Sequence, residues 1–89
     1  MDQLDMASAS IAVEDEAGKS PLLQALGERV RNLRARRGLT RRNLASTALV
    51  SERHLANLEY GTGNVSILVL HQIAQALHCS MAELLGDVT

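Results

Sequence analysis

The stretch from Thr40 to Gly61, TRRNLASTALVSERHLANLEYG, leaves the chain few choices. Thr40 carries a hydroxyl that can accept a hydrogen bond from an early helix N–H, which predicts a helix from Arg41 to Ala48. Ser51 does the same for a second helix from Glu52 to Tyr60, and Gly61 offers a left-handed stop. Leu44, Ala45 and Ala48 fall on one face of the first helix. Leu55 and Leu58 fall on one face of the second, next to Glu59. Val50 sits in the turn between them, where it can fill the angle. Small Ala45 lets the second helix approach closely.

Two short helices joined this tightly form a helix-turn-helix, which in one of its uses holds the second helix out toward a DNA major groove. An ordinary αα-hairpin inside a bundle has the same periodicity. Two features favour the DNA reading. The outward residues of the second helix are Glu52, Arg53, His54, Ala56 and Asn57, which are short or hydrogen-bonding groups. Seven arginines are also massed between Arg29 and Arg42.

The formal net charge of −1 hides a segregation of sign. Residues 1–19 hold Asp2, Asp5, Glu14, Asp15 and Glu16 against Lys19, a net of −4. Residues 20–89 hold eight arginines against five acids, a net of +3. Arginine forks match phosphate geometry bidentately, so the second part carries a basic footprint for a polyanion.

The remaining chain reads as helices. Residues 1–19 are small, acidic and turn-rich, and are expected to be a flexible acidic tail. Ser20-Pro21 opens a helix to about Arg37, stopped by Gly38. Its inner face is expected to be Leu22, Leu23, Leu26, Val30 and Leu33, with Gly27 a local weakness of about 1 kcal/mol. Arg29, Arg36 and Arg37 are expected to face water or phosphate, while Arg34 neighbours the inner stripe. Ser66 caps a helix from Ile67 to His78, with a core stripe of Ile67, Leu70, Ile73, Ala74 and Leu77. Ser80 to Glu83 is a capping box opening a last short helix that ends at Gly86. The expected fold is therefore all-α, with five helices in one domain over residues 20–89.

With 89 residues, one Tyr and neither Trp nor Phe, the core must be aliphatic. No apolar run approaches the roughly 18 residues of a membrane span, and the acidic start is unlike a secretory signal, so a cytoplasmic protein is expected. Cys79 alone builds no disulfide framework. His71, His78 and Cys79 lack metal-ligand spacing, so no metal site is expected. No catalytic constellation or phosphate-binding glycine loop is visible, so neither an enzyme nor a cofactor is expected.

From Leu26 to Leu85 the chain resembles the phage repressor and Cro-like (XRE) family. The likeness rests on LGERVRNLRARRGLT, LASTALVS, HLANLEYGTGN and IAQALHCSMAELL, with Leu58-Glu59-Tyr60-Gly61 among its more specific parts. The run SERHLANLEYGTGNVSILVLHQIAQAL also resembles the DNA-binding half of benzoyl-CoA-responsive repressors of aerobic benzoate degradation. Such repressors continue into a shikimate-kinase-like domain for an acyl-CoA effector, so benzoyl-CoA would be a ligand only if a further C-terminal domain exists.

The resemblance implies a lambda-repressor-like fold in which the helix opened by Ser51 is the recognition helix. Glu52, Arg53 and Asn57 would reach base edges: Glu52 accepting from cytosine, Arg53 forking onto guanine, Asn57 onto adenine. Arg41, Arg42, Ser51, His54 and Asn64 would contact the DNA backbone. Arg41 stands where the family usually has a glutamine on phosphate. Arg34 and Glu59 would form a buried ion pair beneath the recognition helix. The family usually has Gly where Leu49 stands, and a left-handed conformation there would strain Leu.

The implied function is a sequence-specific transcriptional regulator, commonly a repressor, bound as a homodimer to a palindromic operator in double-stranded DNA. Dimer contacts are expected around Met81 to Val88. Two other functions fit the same fold. One is an antitoxin that autoregulates its operon, and the other is a protein-interaction module that reads no DNA.

Overall fold

Five hydroxyl-capped helices make up the described part of the chain. A computed structural model describes residues 20–86. The helices are α1 (Pro21–Arg36), α2 (Arg41–Ala48), α3 (Glu52–Tyr60), α4 (Ile67–Ala76) and α5 (Met81–Leu85), with no strand among the described residues. The predicted tail and the Val88 end of the expected dimer contact lie outside them.

Each helix starts where a serine or threonine oxygen takes an orphan backbone N–H. Ser20 accepts from Leu22, Thr40 from Asn43, Ser51 from His54, Ser66 from Val69 and Ser80 from Glu83. At α5 the Glu83 carboxylate returns a bond to the Ser80 N–H at 2.9 Å, completing the capping box.

Four of the helices also end alike. Each closes with a bond from a backbone N–H to the carbonyl five residues back: Leu39 to Arg34, Val50 to Ala45, Thr62 to Asn57 and Cys79 to Ala74, all at 3.0–3.1 Å. That closure needs one residue in the left-handed region. Gly38 and Gly61 fill it twice, and Leu49 (φ 62°) and His78 (φ 57°) fill it without glycine. The left-handed turn at His78 explains why α4 stops at Ala76 rather than at His78 as expected.

The core is aliphatic and continuous. α1 packs on α3 and α5, α2 on α3 and α4, and α4 on α5. Val30, Leu44, Leu55, Ile73, Leu77 and Leu84 are fully buried, one or more from every helix. Two residues assigned to core stripes are not in it. Leu22 lies at the open first turn of α1, and Ile67 at the first turn of α4 is 72% exposed. Leu23 is half-buried.

Gly27 is not a weakness but a requirement. A Cβ there would lie 2.5 Å from the Leu58 carbonyl oxygen and 2.7 Å from that of Glu59. α1 therefore crosses the end of α3 backbone against backbone, a separation only glycine permits. This crossing sets where α3 stands.

Candidate nucleic-acid interface

α3 has an inner and an outer face. Leu55, Leu58 and Glu59 are buried. Ser51, Glu52, Arg53 and Asn57 are exposed, and His54 and Ala56 half-buried. The helix is nine residues long, so its outer face amounts to two turns of side chains held clear of the core.

Its C-terminal end is fixed by a buried carboxylate. Glu59 is 2% exposed. Its Oε2 accepts from Arg34 Nε at 2.7 Å and its Oε1 from Arg34 Nη2 at 3.0 Å, a bidentate fork. Oε1 also accepts from Arg41 Nε at 3.1 Å. The Glu59 carbonyl accepts from Arg31 Nη1 at 3.2 Å, and Arg34 Nη1 reaches the Leu39 carbonyl at 3.1 Å. One acid thus ties α1, the start of α2 and the end of α3 together. Two cations against one carboxylate leave a positive excess at the first turn of α2.

The expected basic surface is smaller than the arginine count suggests. Arg31, Arg34 and Arg41 serve the Glu59 cluster. Arg29, expected to face water or phosphate, donates to the Glu83 carbonyl at 3.1 and 2.9 Å, fastening α1 to α5. The guanidinium groups of Arg36, Arg37, Arg42 and Arg53 are exposed, with no hydrogen bond or ion pair to another described residue. Four arginines build the domain and four remain available to a ligand.

The structure brings most of the sequence-derived residues to one region. Glu52, Arg53 and Asn57 project from α3. Ser51 Oγ is engaged as the α3 cap, with its hydroxyl proton left to donate. Arg42 is exposed in the first turn of α2. Its neighbour Arg41 is half-buried, bonded to Glu59 through Nε and lying over the Tyr60 ring, 5.9 Å from the centroid. Both contacts hold the guanidinium in place, while its two terminal nitrogens make no hydrogen bond to described residues. His54, Asn57 and Asn64 line one cleft of about 230 Å³ between α3 and the loop that follows it. In that loop Thr62 donates through N and Oγ1 to the Asn57 carbonyl, at 3.0 and 3.1 Å.

Sequence reasoning missed Arg31 and the double engagement of Glu59. The signal was there: Gly27, Arg31 and Arg34 recur at helical spacing, marking the α1 face that meets α3. Among the described residues two titrations are displaced, both at the α4–α5 junction. Burial, then the nearby Glu83 charge, pushes the Cys79 thiol up. The Ser80 N–H holds the Glu83 carboxyl below its ordinary value. Among the described residues no three His, Cys, Asp or Glu side chains gather as metal ligands. No helix there is long and apolar enough to cross a membrane.

The family described as Helix-turn-helix (HTH_3) matches residues 30–84, which contain all of α2, α3 and α4. The chain belongs to this XRE-type helix-turn-helix family. Its relatives include the competence pilus inhibition repressor of Acinetobacter baylyi, 36% identical over 59 residues. That alignment covers 66% of this chain and 54% of the repressor, so the chain spans about half the length of that relative. An HTH-type transcriptional regulator of Sinorhizobium fredii is 34% identical over 59 residues, 66% of this chain and 77% of the regulator.

Solved helix-turn-helix proteins share the fold. The restriction-modification controller protein C.AhdI of Aeromonas hydrophila superposes with a TM-score of 0.69 at 32% identity, covering 70% of this chain and 94% of the controller. The clp gene regulator ClgR of Corynebacterium glutamicum superposes with a TM-score of 0.72 at 39% identity, covering 75% of this chain and 71% of ClgR. Among the described residues the all-α, five-helix reading of the sequence therefore holds. The likeness to benzoate-pathway repressors narrows to the helix-turn-helix family at large.

Proposed function

We propose that this chain is a sequence-specific DNA-binding regulator that represses transcription in the cytoplasm from a palindromic operator, with α3 in the major groove. One observation carries the reading: α3 is immobilised at its C-terminal end by Glu59 and Gly27 while Glu52, Arg53 and Asn57 stand free on its outer face. A reading head needs both properties, because a base contact is selective only if its donor is held in register.

The roles follow from chemistry. Arg53 forks onto guanine, Asn57 pairs with adenine, and Glu52 accepts from cytosine. Arg41 and Arg42 take phosphates at the start of α2, where the helix N-terminus also favours an anion. In Arg41 the Glu59 bond orients the fork and leaves its terminal nitrogens for the phosphate. Ser51, His54 and Asn64 complete the backbone contacts. Two copies related by a two-fold axis would place half-sites about 10 bp apart. Repression is supported by the relative named as a competence pilus inhibition repressor. An acyl-CoA such as benzoyl-CoA enters this reading only through a further domain.

The test is a fluorescence-anisotropy titration with the duplex upstream of the protein's own gene and a scrambled duplex, at two salt concentrations. Tighter binding to the upstream duplex, retained at the higher salt, is expected of a specific autoregulator. Equal, salt-quenched binding to both would reduce the surface to a basic patch and sink the proposal.

A further inference from the structure

Half of the chain's ten acidic residues, Asp2, Asp5, Glu14, Asp15 and Glu16, precede the first helix. The described domain has the opposite balance, with eight arginines against four carboxylates. Of those four, Glu59 is buried under two arginines and Glu83 is engaged in the α5 cap. Exposed Arg42 and the terminal nitrogens of Arg41 stand together at the first turn of α2, with no acid bonded to them among the described residues. The N-terminus of α2 adds a partial positive charge there.

We infer that the run Glu14-Asp15-Glu16 docks on Arg41 and Arg42 of its own chain and competes there with DNA phosphate. This contact regulates the DNA-binding surface proposed above and rests on that reading for its functional meaning. A carboxylate offers a guanidinium the same charge sign and the same pair of acceptor oxygens as a phosphate, so one site takes either. The tethered acids therefore act as a built-in counterion that DNA must displace.

Reach selects these acids and these arginines. The end of α3 lies against the first turn of α1, so close that a Cβ on Gly61 would be 2.9 Å from the Gln24 Cα. Pro21 and Tyr60 line one cleft of about 450 Å³ at this junction. The Arg41 guanidinium lies 5.9 Å from the Tyr60 ring centroid. Glu16 stands five residues before Pro21, and five extended residues span about 17 Å, enough to pass from the start of α1 by way of Tyr60 to the first turn of α2. Glu28 lines the same cleft and repels the acids there, so they settle beyond it at Arg41 and Arg42. Asp2 and Asp5 are on much longer tethers, and their lower effective concentration makes them lesser contributors.

The test compares the full 89-residue chain with its variant Glu14→Gln/Asp15→Asn/Glu16→Gln. The three sites lie outside the described domain, so the melting curves should match. Without DNA, the NMR chemical shifts of the Arg41 and Arg42 side chains are expected to differ between the two proteins at about 20 mM salt and to converge at about 500 mM, with the amides of α4 unmoved. In anisotropy titrations at low salt the variant should bind both duplexes about three- to tenfold more tightly, since exposed ion pairs are individually weak. Its salt slope should be steeper by about one unit, because DNA then releases counterions in place of tethered carboxylates. A contact, unlike repulsion at a distance, needs its partner, so in an Arg42→Ala background the gain should fall by at least about half. Arg41 and Arg42 shifts that are the same in both proteins overturn the inference. So does an affinity gain undiminished by Arg42→Ala. The shifts are read without DNA, which separates the two proposals. Shifts as expected, with upstream and scrambled duplexes bound alike, would support the docked acids and overturn the sequence-specific reading. Absent shifts with selective binding to the upstream duplex would overturn the docking alone.

Discussion

The two ends of α3 are built on opposite principles. At the C-terminal end, Glu59 is buried under Arg34 and Arg41, Arg31 holds its carbonyl, and Gly27 lets α1 press on the backbone. At the N-terminal end, Ser51 satisfies one N–H and the next residues, Glu52 and Arg53, stand in solvent. The contrast teaches how a nine-residue helix, too short to be stable alone, can serve as a rigid probe. Stability is concentrated at one end so that the other can be chosen for its ligand. Changes at the anchored end should therefore cost folding, and changes at the free end should cost recognition.

The sharpest break of that contrast is Glu59→Ala. It strands the half-buried Arg34 and Arg41 around an empty, buried site, and uncompensated charges of this kind cost about 3–5 kcal/mol. Denaturant unfolding should show that loss. A drop in DNA affinity with no loss of stability would mean that Glu59 serves the ligand rather than the fold. Gly27→Ala comes next. The added methyl meets backbone carbonyls, which cannot rotate away, so α1 and α3 must separate, at about 1–3 kcal/mol. Unchanged melting of that variant would show that the crossing is looser than 2.5 Å implies.

At the free end, Asn57→Ala should leave the melting curve alone and lower affinity for the cognate duplex by about 1–3 kcal/mol, relaxing one base position. Arg42→Ala should weaken cognate and scrambled duplexes alike and reduce the salt slope by about one unit. Identical effects of both variants on both duplexes would remove the distinction between base and backbone contacts on this surface.

What was legible in the sequence was local. Ser20, Thr40, Ser51, Ser66 and Ser80 are hydroxyls placed before apolar periodicity, and each caps the helix it announced. The HTH boundaries followed from Thr40, Ser51 and Gly61 for the same reason. The Arg34–Glu59 pairing came through family resemblance and not from spacing, because the two residues lie 25 apart in the chain. What escaped depends on a neighbour that spacing cannot supply. Gly27 is costly within its own helix and indispensable only against Leu58 and Glu59. The occupation of Arg29 by a carbonyl of α5 could not be seen from α1. Periodicity gave Leu22 and Ile67 the right helix but not the neighbour needed to cover them. His78 ended α4 two residues early because a left-handed residue without glycine leaves no mark in the sequence.

The smallest expected effect concerns the turn that joins the two helices of the motif. α3 stops at Gly61 and α2 at Leu49, with the same closure, yet only the first uses the residue that takes a left-handed conformation freely. Leu49 is held at φ 62°, ψ 40° with 82% of its surface exposed. It thus accepts strain of about 1–2 kcal/mol and recovers little by burial. Leu49→Gly should relieve that strain, offset in part by about 0.5–1 kcal/mol of added chain entropy in the unfolded state. The net expectation is a gain of up to about 1 kcal/mol in unfolding free energy, with cognate affinity unchanged, because the backbone already has the glycine conformation. A fall in both stability and affinity would give the side chain a structural role of its own. The shallow groove it shares with Gln72 and Gln75 of α4 is where that role would lie. The anchoring of α3 would then extend beyond Glu59 to its entry turn, and the division between a fixed end and a free end would be less complete than the Glu59 cluster suggests.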